Sequence, residues 1–150
     1  MVKLVVPDRA FFREVDGGGE WLAAEVPGSV HTDLLRLGRI PDPFIEDNEL
    51  DVQWVAERDW EYRVILDADA ALKEAHRVNL VCEGLDTLAE VSFNEVSLDE
   101  TDNMFRQYVW DVTDLLKEGE NELRVRFDST VEYMLERQAE EPLIGPSQSI

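Results

Sequence analysis

Residues 60–66 read WEYRVIL, and Trp60, Tyr62, Val64 and Leu66 recur at every second position with Glu61, Arg63 and Ile65 between them. A period of two puts alternate side chains on opposite faces of an extended chain, so this stretch reads as a strand with one face in a core. The period returns downstream in Val78, Leu80 and Cys82, in FRQYVWDV (105–112), and in Leu123, Val125 and Phe127 of NELRVRFDS. Between them, TLAEVSFNEVSL (87–98) alternates through Val91 and Phe93. A slip after Leu88 points to a bulge at Ala89-Glu90. Asn94-Glu95 is a tight turn, because Asn tolerates positive φ.

Outward from these strands the elements are short. Residues 1–20 are weakly patterned, and FFREVDGGGE ends in a flexible turn. EWLAAEVPG is a short apolar run stopped by Pro27-Gly28, a strand into a turn. SVHTDLLRLG carries a helical turn with Ser29 as N-cap, Val30, Leu34 and Leu37 on one face, and Gly38 as the stop. ADAALKEAH (68–76) reads as a helical turn or loop. TDLLKEG (113–119) reads as a one-turn helix capped by Thr113 and ended by Gly119. TVEYMLERQAEE (130–141) is helical, with Val131, Met134, Leu135 and Gln138 on a face expected to pack back on the strands. The tail 142–150 has no period. Several short strands spaced by turns make this all-β: an antiparallel β-sandwich with short peripheral helices. The division expected is a sandwich domain over 1–129 and a helix and linker over 130–150.

One segment resists this grammar. RIPDPFIEDNELDVQWVAERDW (39–60) packs two prolines, a Phe and two Trp among acidic residues, and no strand or helix period runs through it. It reads as a long ordered loop whose aromatics brace the sandwich and meet a neighbouring domain, leaving an apolar patch when that neighbour is missing.

Composition narrows the function. The chain has 150 residues with 34 acidic against 14 basic ones, a net charge of −20. Such a surface repels nucleic acid and anionic membranes, and neither is an expected partner. No apolar run approaches a membrane span. MVKLVV is too short for a signal segment, so a cytoplasmic location is expected. The single Cys82 sits in an apolar run and reads as a buried, inert thiol. Two isolated histidines give no metal spacing: His31 reads as a structural hydrogen-bonding residue and His76 as exposed. No metal and no cofactor are expected.

Seven stretches in order carry a resemblance: VPGSVHTDLL, GRIPDPF, DNELDVQWV, RDWEYRV, GLDTLAEVSFNEV, TDNMFRQYVWDVTDLL and GENELRVRF. Together they resemble the N-terminal sugar-binding domain of β-mannosidases of glycoside hydrolase family 2, over roughly Trp21 to Ser129. The resemblance implies a jelly roll of the galactose-binding-domain type, excised from a longer enzyme. Its partners would be an immunoglobulin-like domain, a (β/α)8 barrel holding both catalytic carboxylates, and a mannose-containing oligosaccharide. A Trp-Asp-Trp-Gly-Pro motif of such enzymes is absent here. Asn48-Glu49 imitates the family's catalytic dipeptide but lies in the wrong domain, so no catalytic residue is expected. An autonomous carbohydrate-binding module is the alternative.

The candidate sugar-contacting residues are Asp86, Trp54, Asp102 and Asn103. Asp86 of GLDT either accepts sugar hydroxyls, as the resemblance implies, or closes an Asx turn on its own backbone. Asp102 and Asn103 of TDNMF either bond a sugar or a barrel domain, or build the loop, with Met104 and Phe105 placed to meet a partner. Trp54 precedes the Trp60 strand and is the better surface aromatic, whereas Trp60 belongs to the core.

The acidic excess has a consequence in solution. In roughly 1 M salt the screening length is about 3 Å, so self-repulsion nearly vanishes. The melting temperature is expected to climb as KCl is added. A fold equally stable without salt would remove the inference of a high-salt habitat.

Overall fold

The computed structural model describes residues 6–141. The leader reading of the first residues (1–5) and the aperiodic tail (142–150) lie outside that range. Among the described residues, eight strands form two antiparallel sheets. They are β1 (Arg9–Glu14), β2 (Leu22–Ala24), β3 (Trp60–Ala68), β4 (Asn79–Cys82), β5 (Ala89–Phe93), β6 (Val96–Thr101), β7 (Tyr108–Asp111) and β8 (Gly119–Phe127). Six strands run in the order β2-β1-β3-β8-β5-β6, and β4 pairs with β7. The helices are α1 (Val30–Arg36), α2 (Asn48–Asp51), α3 (Ala70–Lys73) and α4 (Thr130–Glu140), with a 3₁₀ turn at Gln53–Glu57. The all-β antiparallel sandwich with short peripheral helices is therefore the observed architecture.

The centre is the long β3–β8 pair, in register from Trp60 opposite Phe127 to Ala68 opposite Gly119. The period of two does what it promised. Trp60, Tyr62 and Val64 of β3, Leu123 and Val125 of β8, and Ala89, Val91 and Phe93 of β5 are all buried on the inner face. The short β4–β7 pair covers only part of that face. Leu80, Cys82, Tyr108 and Trp110 pack there against Val64, Val91, Phe93, Leu123 and Val125. The remainder, Phe12, Trp60 and Tyr62, is covered by Leu34 of α1 together with Ile40, Val52 and Val55.

That second cover is the segment without a period. The sequence reads as loop throughout, but the segment holds α2 and the 3₁₀ turn. Each is a single turn, too short for periodicity to register. The Trp60 indole N–H donates to the Val55 carbonyl at 2.8 Å, and the Phe12 ring lies 5.8 Å from both Trp60 and Tyr62. Asp33 of α1 is buried among these groups. Its carboxylate accepts from Arg36 at 2.9 Å, from the Glu25 backbone N–H at 3.0 Å, and from the Tyr62 hydroxyl at 3.4 Å. Burial and the Asp33 charge push the Tyr62 phenol well above its ordinary value. Ser29 caps α1 in a reciprocal capping box with Thr32, as its position predicts.

Four sequence expectations need correction. The weakly patterned start contains β1, which pairs with both β2 and β3; adjacent Phe11 and Phe12 point to opposite faces and mask the alternation. The bulge does not lie at Ala89-Glu90, for β5 alternates cleanly. Val91 faces Asp99 and Ser92 faces Ser97, so the extra residue is Leu98 of β6. Residues 113–119 form a turn rather than a helix. The Asp111 carboxylate accepts from the Thr113 N–H, and the buried Asn121 amide takes over the local backbone by donating to the Lys117 and Gly119 carbonyls and accepting from the Lys117 N–H. Finally, α4 does not lay its stripe on the sandwich. It meets the 3₁₀ turn, and Met134 and Leu135 are each 61% exposed. The Asn94-Glu95 turn is as read, with φ of 49° and 70°.

Phe12 is fully buried where β1 meets the helical cover. Phe12→Ala is expected to cost about 3–5 kcal/mol in urea unfolding. A loss below about 1 kcal/mol would mean that this half of the core is not packed as described.

Candidate functional site

The register of the large sheet decides which loops share an end. Trp60 sits opposite Phe127, Phe127 opposite Ala89, and Ala89 opposite Thr101. This one row across β3, β8, β5 and β6 gathers the residues before Trp60, those before Ala89, those after Thr101 and those after Phe127. Neighbouring strands are about 4.8 Å apart, so the β3 and β5 positions are separated by roughly 10 Å. Trp54, Asp86, Asp102 and Asn103, chosen from three separate stretches, thus all emerge at one end of the sandwich.

Two of these loops touch. A Cβ placed on Gly84 would lie 3.1 Å from the Met104 carbonyl oxygen, and the Thr101 hydroxyl donates to the Thr87 carbonyl at 3.4 Å. Glycine at position 84 lets the loops close on each other. Leu85 is buried beneath them while Asp86 is exposed. The Asp86 carboxylate accepts from the Thr87 hydroxyl, so it does not make the Asx turn that was its alternative reading. The residue is exposed, and a carboxylate can accept more hydrogen bonds than the one from Thr87.

Asn103 builds the loop, which is the second of its two sequence readings. Its side-chain oxygen accepts from the Phe105 N–H at 2.9 Å, and its backbone carbonyl accepts from the Tyr108 hydroxyl at 3.0 Å. It shapes the loop from within. Asp102 stays exposed, and the loop holds Phe105 out with 87% of its surface open. Trp54 is a brace with an exposed edge: its ring lies 6.1 Å from Trp60, and 36% of the residue is accessible.

Sequence reading missed the groups that tie this end together. Ser129 caps α4, accepting from the Glu132 N–H at 3.1 Å, while its own N–H donates to Asp59 at 2.8 Å and its hydroxyl to the Ala56 carbonyl at 2.8 Å. Asp59 also accepts from Arg126 at 2.9 Å. Burial, helped by the charges of Asp59 and Glu90, lifts the Asp128 carboxyl above its ordinary value despite Arg126. These partners are some seventy residues apart in the chain, and no local pattern announces them.

Other chemistry is quiet. Burial pushes the Cys82 thiol up to about 11, so it is no nucleophile at neutral pH. The His31 side chain is exposed and has no hydrogen-bond partner among the described residues, contrary to its structural reading; His76 is exposed as expected. Among the described residues no cluster of His, Cys, Asp and Glu gathers to hold a metal, and no helix is long and apolar enough to cross a membrane.

Residues 11–149 match the model of a family described as glycosyl hydrolase 2 galactose-binding domain-like. The chain belongs to this family. Among curated relatives, the β-mannosidase of Capra hircus is 42% identical over 120 residues, which is 80% of this chain and 14% of the relative. β-Mannosidase B of Thermothelomyces thermophilus is 45% identical over 106 residues, 71% of this chain and 12% of the relative. The solved β-D-mannosidase of Dictyoglomus thermophilum superposes with a TM-score of 0.88 at 41% identity, covering 95% of this chain and 18% of that one. The exo-chitosanase of Amycolatopsis orientalis, at a TM-score of 0.71 and 19% identity, shares the fold. The chain thus spans less than a fifth of the length of these proteins.

This galactose-binding-like domain carries a second polar surface on the outer face of its large sheet. Arg13 and Arg124 flank the buried Glu61 at 2.7 and 3.4 Å, Glu122 bridges Arg124 and Arg63 at 2.7 and 2.5 Å, and the Trp21 ring lies 4.4 Å from the Arg13 guanidinium. A shallow depression of about 180 Å³ opens among Glu61, Glu90, Ser92, Ser97, Arg124 and Arg126. Its arginines are already matched by carboxylates, so the lattice serves as structure rather than as an anion site. Burial raises the Glu122 carboxyl, but hydrogen bonds from Arg124 and Arg63 outweigh it and hold the group below its ordinary 4.5. A depressed folded value contributes stability above the unfolded value, lost as pH falls through the folded one. Acid unfolding followed by circular dichroism is expected to begin below about pH 4.5, and Glu122→Gln is expected to weaken the pH dependence in that window. An unchanged acid profile would show that the pair contributes nothing.

Proposed function

We propose that this chain is the non-catalytic sugar-binding domain of an exo-acting β-mannosidase. The whole enzyme removes terminal β-linked mannose from the non-reducing end of oligosaccharides. The observation that carries this reading is the pair of likenesses to β-mannosidases above 40% identity, one in sequence and one in structure, each covering most of this chain and a small part of the relative.

The chemistry fits a supporting role. Retaining glycoside hydrolysis needs two carboxyl groups roughly 5 Å apart across the scissile bond, one nucleophile and one acid/base. Of the carboxylates at the loop end, Asp59 accepts from Arg126 and from the Ser129 N–H, and Asp128 pairs with Arg126 at 3.4 Å, so both are engaged in fixing the chain. Both catalytic carboxylates belong, in this proposal, to the barrel of the parent. Asp86 is the group that reaches the sugar: an exposed carboxylate on a loop fixed by buried Leu85 and by Met104 accepts hydroxyls at a set position. Asp102 lines the same rim, and the edge of Trp54 closes the side toward β3. Holding the ring there contributes to rate through orientation. The acidic surface suits concentrated salt, where repulsion among the carboxylates is screened.

A second reading, an autonomous carbohydrate-binding module, draws on the open Phe105 beside Asp86 and Asp102. Titration calorimetry with mannose and mannobiose separates the two: saturation in the micromolar range favours the module, and no heat favours the supporting domain.

In the full-length enzyme, Asp86→Ala is expected to lower kcat/KM on aryl β-mannosides by about ten- to a hundredfold, the worth of one charged hydrogen bond. Unchanged kinetics would free Asp86 of that role. A parent that cleaves β-galactosides and ignores β-mannosides would overturn the substrate.

A further inference from the structure

The chain carries eleven arginines, all of them among the described residues. Ten are ion-paired with Asp or Glu: Arg13 and Arg124 share Glu61, Arg126 takes Asp59, and the others are matched likewise. With 34 acidic residues against 14 basic ones, a guanidinium on this surface readily finds a carboxylate. Arg106 is the exception. It is exposed, and no carboxylate pairs with it among the described residues.

Its isolation is built into the loop. Glu83, Asp86 and Asp102 are exposed on the two loops that meet at this end, yet none of them takes its charge. A turn fixes the backbone: the Arg106 N–H donates to the Asn103 carbonyl at 3.4 Å, and the Asn103 side-chain oxygen accepts from the Phe105 N–H. The guanidinium carbon lies 5.7 Å from the centre of the Tyr108 ring. Tyr108 is buried, stacks on Trp110 and donates its hydroxyl to the Asn103 carbonyl, so the ring is itself held. An aromatic ring beside a guanidinium orients its plane and leaves its N–H edge open to a planar acceptor.

The surroundings point to the acceptor. Arg106 stands two residues before Tyr108, Tyr108 pairs with Cys82, and Gly84 and Asp86 follow Cys82 on the adjoining loop. Gly84 closes on Met104 of the Arg106 loop. Arg106 therefore adjoins the loop whose Asp86 is proposed to take the hydroxyls of the terminal mannose. Sugar hydroxyls are served by carboxylates such as Asp86 and Asp102, whereas the fork of an arginine matches a carboxylate, which accepts two parallel N–H bonds. On a chain of net charge −20 an anionic group is repelled wherever no cation is left for it, and here one is left.

We infer that Arg106 is a specificity residue for the sugar next to the terminal mannose, and that this sugar is a uronic acid whose carboxylate bridges the two arms of the guanidinium. This names the substrate class of the proposed mannosidase and rests on that reading for the mannose, but not for the carboxylate.

Two disaccharides test it in the full-length enzyme: β-mannosyl-glucuronate, and β-mannosyl-glucose of the same linkage. The readout is the ratio of their kcat/KM values, because damage to the fold or to the reacting groups lowers both and cancels. The native ratio is expected to favour the uronate about tenfold, the worth of a charged hydrogen bond, with the difference in KM. Arg106→Gln is expected to bring the ratio to about one, and Arg106→Lys to keep part of it. A native ratio near one, or a ratio that Arg106→Gln leaves unchanged, would overturn the inference and leave the proposed function standing. An enzyme that cleaves neither disaccharide would overturn the proposed function instead. Titration calorimetry with the uncleaved uronate disaccharide then decides on Arg106: saturable heat that Arg106→Gln abolishes upholds the carboxylate site, and heat that is absent or indifferent to the substitution overturns it.

Discussion

A sheet of six strands facing a sheet of two leaves much of an apolar face without a partner, and this fold turns on how that face is covered. The strands β3 and β1 present Phe12, Trp60 and Tyr62 inward, beyond the reach of β4 and β7. Leaving three aromatics to water forfeits several kcal/mol, since each buries on the order of 150–250 Å². The chain covers them with α1 and the segment 39–57 instead of further strands. Helical turns can do this because their one requirement is an apolar stripe, whereas another strand needs an edge to pair with. Asp33 makes the arrangement specific: one buried carboxylate holds α1 to the β2 side through Glu25 and to β3 through Tyr62, with Arg36 supplying the counter-charge.

The two ends of the sandwich are then stiffened by different means. At the end away from the candidate site, the Asn94 amide donates to the Asn121 side-chain oxygen, and the two side chains satisfy backbone groups between residues 115 and 122. At the other, Tyr108 clasps Asn103, and Ser129 with Asp59 ties α4 to the 3₁₀ turn. Buried polar networks of this kind cost stability when incomplete; here the Arg126 Nε, beside Asp59, is the one buried polar side-chain atom among the described residues left without a hydrogen bond. Loops built this way present Asp86, Asp102 and Phe105 as fixed features, which a positioning domain requires.

How much of this the sequence shows follows from the range of each interaction. β3 and β8 are plain because alternation is a local pattern, and Ser29 because a capping box spans four residues. The candidate residues could be chosen as types in loops, yet nothing local said that they share one end. That follows from register, which joins Trp60 to Phe127 and Phe127 to Ala89. β1 was hidden because two adjacent Phe residues break an alternation that the fold respects. The turn at 113–119 looked helical because Asn121, which competes for its backbone, carries no signal of that competition. Asn103 is open between sugar contact and loop building in the sequence because an amide suits both, and its bond to the Phe105 N–H is what shows it building the loop.

A domain with no reacting group can still matter to a reaction on sugars. Hexoses differ from one another by the direction of single hydroxyls, so discrimination needs acceptors whose positions do not adjust to the wrong isomer. Asp86 meets that requirement through its surroundings: buried Leu85 beneath it, the Thr87 hydroxyl on one carboxylate oxygen, and Gly84 against the neighbouring loop. The same stiffness is lost to the enzyme unless the end carrying Asp86 is itself fixed relative to the reacting carboxylates. Were Asp86 to read the sugar, as proposed, the contact of Gly84 with the neighbouring loop and the Thr87 hydroxyl on its carboxylate would set how precisely a sugar hydroxyl is placed.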